Sequence, residues 1–204
     1  MVPARLMPAE SREAVAEDLR KGGAKSVLLT QPDSIAWLLN IRGADVPHVP
    51  VALSYALVHE NGDVDWFIPA GKVGADVKQH IGNHVQIHDF GDMPDVLKAR
   101  AKEAANENKK ITMDMGTGAV WFKTLLEEAG AKVDHVDDPT VARKALKNKT
   151  ERKFIREAHI KDGVALVKFW KWIDEQAPKG KLTEMDAVDK LTELRRRHGW
   201  GPRG

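Results

Sequence analysis

The sequence predicts an α/β fold with a six-stranded mixed sheet flanked by helices, followed by a purely helical C-terminal segment. Three observations predict it. Short β-rich runs alternate with stretches of helical periodicity up to about residue 137, one antiparallel pair is marked by an Asn-Gly turn, and beyond Asp137-Asp138-Pro139 helix signals alone remain. A boundary is therefore expected between residues 140 and 150. The expected organisation is a tail over residues 1–10, an α/β domain over 11–145 and a helical part over 146–204.

The first helix spans Ser11 to Lys21, where Ala14, Val15, Ala16 and Leu19 recur at helical spacing and Gly22-Gly23 provide the stop. A strand over Ser26 to Thr30 follows, and Pro32-Asp33 open a short helix over Ser34 to Leu39. Gly43, Pro47 and Pro50 forbid a regular element over Arg42 to Pro50, which reads as a long ordered loop. The runs Val51 to His59 and Val64 to Ile68 flank Glu60-Asn61-Gly62-Asp63, and Asn-Gly predicts a hairpin with positive φ at both turn positions. Helices are expected over Val73 to His80, Asp95 to Asn106 and Val120 to Ala129. Strands are expected over Val85 to His88, Ile111 to Met115 and Lys132 to Val136.

In the C-terminal part, Phe154, Ile155, Ala158, Leu166, Phe169, Trp170 and Ile173 form an apolar stripe on a long helix that starts near a cap at Thr150. Thr183-Glu184-Met185-Asp186 is a capping-box variant with Asp in the Glu position. The helix after it should pack Val188, Leu191 and Leu194 on the stripe, with leftover apolar surface driving self-association through the C-terminal helices.

Lys+Arg 32 against Asp+Glu 30 gives a net charge of +2 over 204 residues, so no bulk field draws the chain to nucleic acid or anionic lipid. Arg195 to Arg197 suit the end of a helix and carry no aromatic platform, which argues against nucleic acid locally as well. The sequence has no Cys, which removes thiolate chemistry and Cys-ligated zinc. No apolar run approaches the roughly 18 residues of a membrane helix, and Met1 to Glu10 has no signal-peptide core, so no membrane association and a cytoplasmic location are expected.

Four features are candidates for chemistry. His80, His84 and His88 recur every four residues, but Gly82-Asn83 interrupt the helix that would stack them, and three surface histidines are the favoured reading over a metal site. Gly116-Thr117-Gly118 sits between a strand and a helix, where phosphates bind, yet lacks the third glycine and the Lys of the known signatures, so a plain turn is favoured. Asp63 and Asp65 share one strand face as a candidate acid/base pair, with exposed decoration preferred. Arg42-Gly43-Ala44-Asp45 is the densest feature left over, and residues alone favour a salt bridge or cap that fixes the loop. No Ser-His-Asp set with nucleophile-elbow spacing is visible.

The run from Asp33-Ser34-Ile35-Ala36-Trp37-Leu38-Leu39-Asn40-Ile41-Arg42-Gly43-Ala44-Asp45 through Pro50-Val51 and Ser54-Tyr55-Ala56 closely resembles the middle domain of three-domain Xaa-Pro aminopeptidases, the aminopeptidase P family. The resemblance resumes at Lys144 to Glu151, at Arg156-Glu157-Ala158-His159-Ile160-Lys161-Asp162-Gly163 to Leu166, and at Pro178 to Glu184, and covers Ser11 to Arg197. It implies a creatinase-type N-terminal α/β domain followed by the first two helices of a pita-bread metallopeptidase domain. It also implies a peptide substrate with proline in second position for the full-length family.

In that family two divalent ions, usually manganese, are held by Asp, His and Glu residues that the resemblance places beyond Gly204. The chain is accordingly expected to have no cofactor, metal ligand or catalytic residue of its own, and to be a fragment inactive alone. The alternative is a non-catalytic binding or assembly module, either a pseudoenzyme or half of a split enzyme. By resemblance, Arg42 and Asp45 lie in a loop characteristic of the family and are the candidate binding residues, facing the catalytic domain or its substrate entrance.

Overall fold

The structure is a computed structural model that describes residues 8–197. Of the expected tail over residues 1–10, residues 1–7 lie outside the described residues, as do 198–204 of the expected helical part, and Pro8 to Glu10 belong to the first helix rather than to a tail. The chain divides into two compact units, one ending at Leu146 and the other beginning at Lys147.

In chain order, the first unit comprises α1 (Pro8–Lys21), β1 (Ala24–Leu29), α2 (Pro32–Leu38), β2 (Tyr55–His59), β3 (Val64–Phe67) and α3 (Ala75–Ile81). It continues with β4 (Val85–His88), α4 (Met93–Asn106), β5 (Lys110–Met113), α5 (Val120–Glu128), β6 (Lys132–His135) and α6 (Thr140–Ala145). One sheet runs β4-β3-β2-β1-β5-β6. It is mixed: β2 pairs antiparallel with β1 and β3, while β1–β5, β3–β4 and β5–β6 are parallel.

Period-2 alternation along the strands sorts the core into two layers. Val27 and Leu29 of β1, Val58 of β2 and Trp66 of β3 face Val15 and Leu19 of α1, Ile35 and Leu38 of α2 and Ile81 of α3. Leu28, Leu57, Phe67, Ile111 and Met113 face the other way, onto Leu97, Ala101 and Ala104 of α4 and Phe122 and Leu126 of α5. At about 25 cal/mol per Å² of apolar area removed from water, two such filled layers stabilise the unit.

The β2–β3 connection corrects one expectation. Gly62 alone takes a positive φ, +84°, and Asn61 does not. The His59 amide donates to the Asp63 carbonyl at 2.9 Å and the Gly62 amide to the His59 carbonyl at 2.9 Å, which makes a three-residue loop with glycine in the left-handed position rather than a two-residue turn.

The second unit is a helical hairpin of α7 (Lys149–Gln176) and α8 (Glu184–Arg197), which pack on each other. The α7 N-cap is Asn148, not Thr150: its side chain accepts from the Glu151 amide at 2.9 Å, and Glu151 accepts from the Asn148 amide at 3.0 Å. The predicted box at α8 forms, with Asp186 accepting from the Thr183 amide at 2.9 Å and Thr183 accepting from the Asp186 amide at 3.2 Å.

Within the hairpin Ala165 and Leu194 are buried, whereas Trp170 and Val188, both expected inside, are exposed. Trp172 takes the inner place, with its ring 6.0 Å from that of Phe169 and the Lys190 ammonium 6.0 Å from its centroid. At 100° per residue, Trp172 stays on the side of Ala165 and Phe169 while Trp170 rotates away from it.

Candidate functional site

The densest polar cluster of the α/β unit centres on Asp65, which shares its strand face with Phe67 and so points at α4 rather than at solvent. Asp65 is 1% exposed. Its carboxylate accepts from His59 Nε2 at 2.8 Å, His88 Nε2 at 2.8 Å and Arg100 Nε at 2.8 Å, with Arg100 Nη2 at 3.3 Å. Burial opposes the charged form, but these bonds outweigh it and hold the carboxyl well below the usual carboxylate range. The same contacts push the Arg100 guanidinium upward. A carboxylate only accepts, so both imidazoles carry a proton on Nε2, and His59 Nδ1 is hydrogen-bonded with the Ser26 hydroxyl at 2.8 Å.

This buried network corrects two readings. Asp65 is not surface decoration, and His88 is not a surface histidine. Asp63 stays at the surface, bonded to His84 and Asn61, and His80 reaches the Leu39 carbonyl at 3.1 Å. The network also puts Ser26, His59 and Asp65 in one chain of hydrogen bonds. Ser26 is 1% exposed, within a central strand, so no substrate carbonyl can reach its Oγ. The three residues tie β1, β2 and β3 together, and Arg100 ties them to α4.

Beside the network lies an open cavity of about 170 Å³, lined by Lys25, Glu60, Asn61, Asp63 and Glu103 together with His59 and Arg100. Its charges are mutually compensated. Glu60 accepts from Lys109 at 2.6 Å, Lys25 donates to Glu107 at 2.6 Å, and Arg100 reaches Glu103 at 3.1 Å. The cavity sits at the N-terminal ends of β1 and β3, whereas open α/β sheets bind ligands beyond the carboxyl ends of their strands.

At that carboxyl end the strand order switches between β1 and β5, because α2 and α5 leave to opposite faces. Gly116-Thr117-Gly118 lies here, and its amides are already used: Gly116 donates to Asp114 Oδ1 at 2.8 Å, and Gly118 to the Asp114 carbonyl at 2.9 Å. A Cβ on Gly118 would stand 2.3 Å from Met113 Cε, so glycine serves close packing, and Thr117 and Thr30 meet at 3.3 Å across the switch point. The turn has no amide left for a phosphate.

Arg42 and Asp45 both sit in the ordered loop before β2. Arg42 Nη1 donates to the Ile41 carbonyl at 2.6 Å and the Ala36 carbonyl at 3.3 Å. Asp45 accepts from the Leu53 amide at 2.8 Å and from Lys72 Nζ at 2.7 Å, contacts that hold its carboxyl below its ordinary range. Gly43 runs against the returning chain, where a Cβ would be 2.6 Å from the Ala52 nitrogen. The loop is thereby braced at its base, while Pro47 to Pro50 at its tip are exposed and His48 takes a φ of +65°.

Among the described residues no group of three or more His, Cys, Asp or Glu side chains is arranged to hold a metal ion. A two-metal centre does not fit these residues: His84 and His88 serve different carboxylates, and His80 serves a carbonyl. No helix among the described residues is long and apolar enough to cross a membrane.

Comparison with known proteins gives consistent matches. The family described as Creatinase/Prolidase N-terminal domain matches residues 7–151. A probable Xaa-Pro aminopeptidase P of Paracoccidioides brasiliensis is 34% identical over 187 residues, 88% of this chain and 30% of the relative. The corresponding Aspergillus niger protein is 32% identical, over 89% of this chain and 30% of its own length. The chain thus spans about 30% of the length of these curated relatives. Among solved structures, the X-prolyl aminopeptidase of Caenorhabditis elegans, described as a cytosolic enzyme with a di-nuclear active site, superposes with a TM-score of 0.80 at 30% identity over 94% of this chain and 31% of that one. The Xaa-Pro dipeptidase of Bacillus anthracis shares the fold at a TM-score of 0.67 and 16% identity, over 94% of this chain and 50% of its own.

Proposed function

Because the chain belongs to the creatinase/prolidase N-terminal domain family, we propose that it is the supporting part of an Xaa-Pro aminopeptidase: the α/β domain and first helical hairpin of an enzyme that removes the N-terminal residue from peptides with proline in second position. The observation that carries this reading is the worm enzyme's likeness, which at 30% identity takes in 94% of the chain, the hairpin after Lys147 included.

The role of these residues is architectural. The Asp65 network locks the central strands to α4, and the Arg42 and Asp45 braces hold one loop rigid with its tip exposed. We assign that loop to the surface turned toward the peptide-handling part of the enzyme. The chemistry of peptide hydrolysis in such an enzyme belongs to a divalent metal pair, with manganese the ion expected, and residues 8–197 supply no fitting ligands for it. The cytosol, the compartment given for the worm enzyme, is the location that goes with this reading.

The test has two arms. The purified chain with Mn²⁺ should leave an Xaa-Pro peptide uncut, and a chimera in which the chain replaces the matching 31% of the worm enzyme should regain chelator-sensitive cleavage. A folded chimera without activity overturns the supporting role. Chelator-sensitive turnover by the chain alone overturns the absence of a metal centre.

A further inference from the structure

The ordered loop before β2 closes on a strained tip. The Val46 carbonyl accepts from the Val49 amide at 3.1 Å and the two residues pair as an antiparallel bridge, so Val46-Pro47-His48-Val49 is a β-turn. Proline in second place fixes a negative φ there, and His48 in third place takes a φ of +65°. That combination is a type II turn, whose third position favours glycine or asparagine. Among the described residues, Asn40, Asn108 and His48 are the non-glycine residues with positive φ. Glycine would take the position of His48 without strain.

The legs of the loop leave the tip no room to relax. The Gly43 amide donates to the Pro50 carbonyl at 3.4 Å and the Asp45 amide to the Val51 carbonyl at 3.2 Å, which zips the two legs together. Asp45 then clamps the returning leg through the Leu53 amide and is itself held by Lys72. Strained backbone persists where its surroundings over-determine it, and such places concentrate at sites of binding and catalysis.

The side chain carried at this cost is unused within the chain. His48 is exposed, and its imidazole has no hydrogen bond or ion pair among the described residues. Its exposed neighbours Pro47, Val49 and Pro50 are apolar. The tip thus holds one polar group, fixed in place, on an otherwise apolar surface. An imidazole both donates and accepts, which matches the main chain of a peptide, and the apolar surround matches side chains along it.

We propose that His48 is a substrate-binding residue, whose imidazole hydrogen-bonds the main chain of a bound peptide beyond the proline. The inference rests on the aminopeptidase reading and on the assignment of this loop to the peptide-handling side. Hydrolysis of the Xaa-Pro bond belongs to the metal pair, so the contact left to this unit is with the stretch of peptide that leads away from that bond.

Three substitutions separate backbone from side chain. H48G relieves the strain and removes the imidazole, H48A removes the imidazole alone, and H48N keeps a donor and an acceptor on a residue that tolerates positive φ. In the purified chain, H48G should raise the melting midpoint by about 2–4 °C, and H48A should not raise it. In the chimera with the worm enzyme, H48G and H48A should each raise KM for an Xaa-Pro pentapeptide by about fivefold, with kcat within about twofold of the parent. H48N should recover most of that loss. KM for an Xaa-Pro dipeptide, which has nothing beyond the proline, should not move. A variant that is more stable yet binds substrate worse is what a residue kept for function gives.

A pentapeptide KM unchanged in H48G and H48A overturns the inference and leaves the aminopeptidase reading standing, whereas a folded parent chimera without activity overturns both. A lower melting midpoint of the H48A chimera with KM unchanged would show His48 packing on another part of the enzyme instead of on substrate. Equal losses on dipeptide and pentapeptide overturn the placement beyond the proline.

Discussion

The two units differ in how completely they bury themselves. The α/β unit closes two apolar layers around its sheet and encloses the Asp65 carboxylate with both oxygens paired, whereas among the described residues of the hairpin Ala165 and Leu194 are the buried apolar side chains. The difference is one of geometry. A sheet covered on both sides offers each strand residue a partner layer, but two helices lying side by side cover one stripe of each and leave the far stripe in water. The sequence of α7 nevertheless carries apolar residues on both stripes. The α/β unit thus covers the apolar faces of its strands from within, and the hairpin leaves one apolar stripe of α7 exposed.

The largest effect that tests this contrast is expected at Asp65. Its replacement by alanine leaves Arg100 and two imidazoles without their common acceptor, and breaking a buried charge cluster in this way costs about 3 kcal/mol, the lower end of the usual 3–5, because Arg100 and His88 keep some access to solvent. Urea unfolding followed by tryptophan fluorescence measures it, and a loss below about 1 kcal/mol, the range of an exposed pair, would show the network to be solvated.

The acid limb carries a second signature. The folded carboxyl titrates below its unfolded value of about 3.9, so its contribution is fully present above that pH and is lost as pH falls through the folded value. D65N should flatten that limb of the stability profile.

Asp65 also shows where sequence reading stops. Strand alternation, the ordered loop at Arg42 to Pro50 and the Thr183 box are local patterns, legible within a few residues of each other. The partners of Asp65 stand 6, 23 and 35 positions away on β2, β4 and α4. With Asp63 and a turn beside it, the residue carries the local signature of an exposed one. A signal was present: Arg100 falls between Leu97, Ala101 and Ala104, the residues that point α4 at the sheet, so a cation is directed toward the strands.

Periodicity failed for Trp170 for the opposite reason. When both stripes of a helix are apolar, spacing identifies two faces without saying which is inside. Arg42 and Asp45 are opposite charges three positions apart, and the structure gives each its own partners.

The middle-sized effect lies in the hairpin. Leu194 is 6% exposed on α8, and truncating a buried leucine costs about 2–5 kcal/mol, with the lower end expected where only two helices surround the site. L194A should raise hydrogen exchange along α8 and the facing part of α7 while amides of β1, β2 and β3 keep their protection. If the strands lost protection equally, the two units would unfold as one and the contrast between them would be thermodynamically empty.

The smallest effect concerns how α7 begins. Lys147-Asn148-Lys149-Thr150-Glu151 offers two cap-type residues, and only Asn148 has a glutamate three positions on. Thr150 has Lys153 there. The reciprocal bonds at 2.9 and 3.0 Å satisfy two amides that the first turn would otherwise leave bare. N148A should therefore cost about 1 kcal/mol, within the usual 0.5–2 for a lost cap, and T150A should cost less because Thr150 already lies inside the helix. The loss belongs to the hairpin, so it should shift the exchange of the first α7 turns and leave the acid unfolding set by Asp65 untouched. Equal effects from N148A and T150A would mean that the helix start slides between the two, and that the hairpin is anchored by its contact with α8 rather than by its cap.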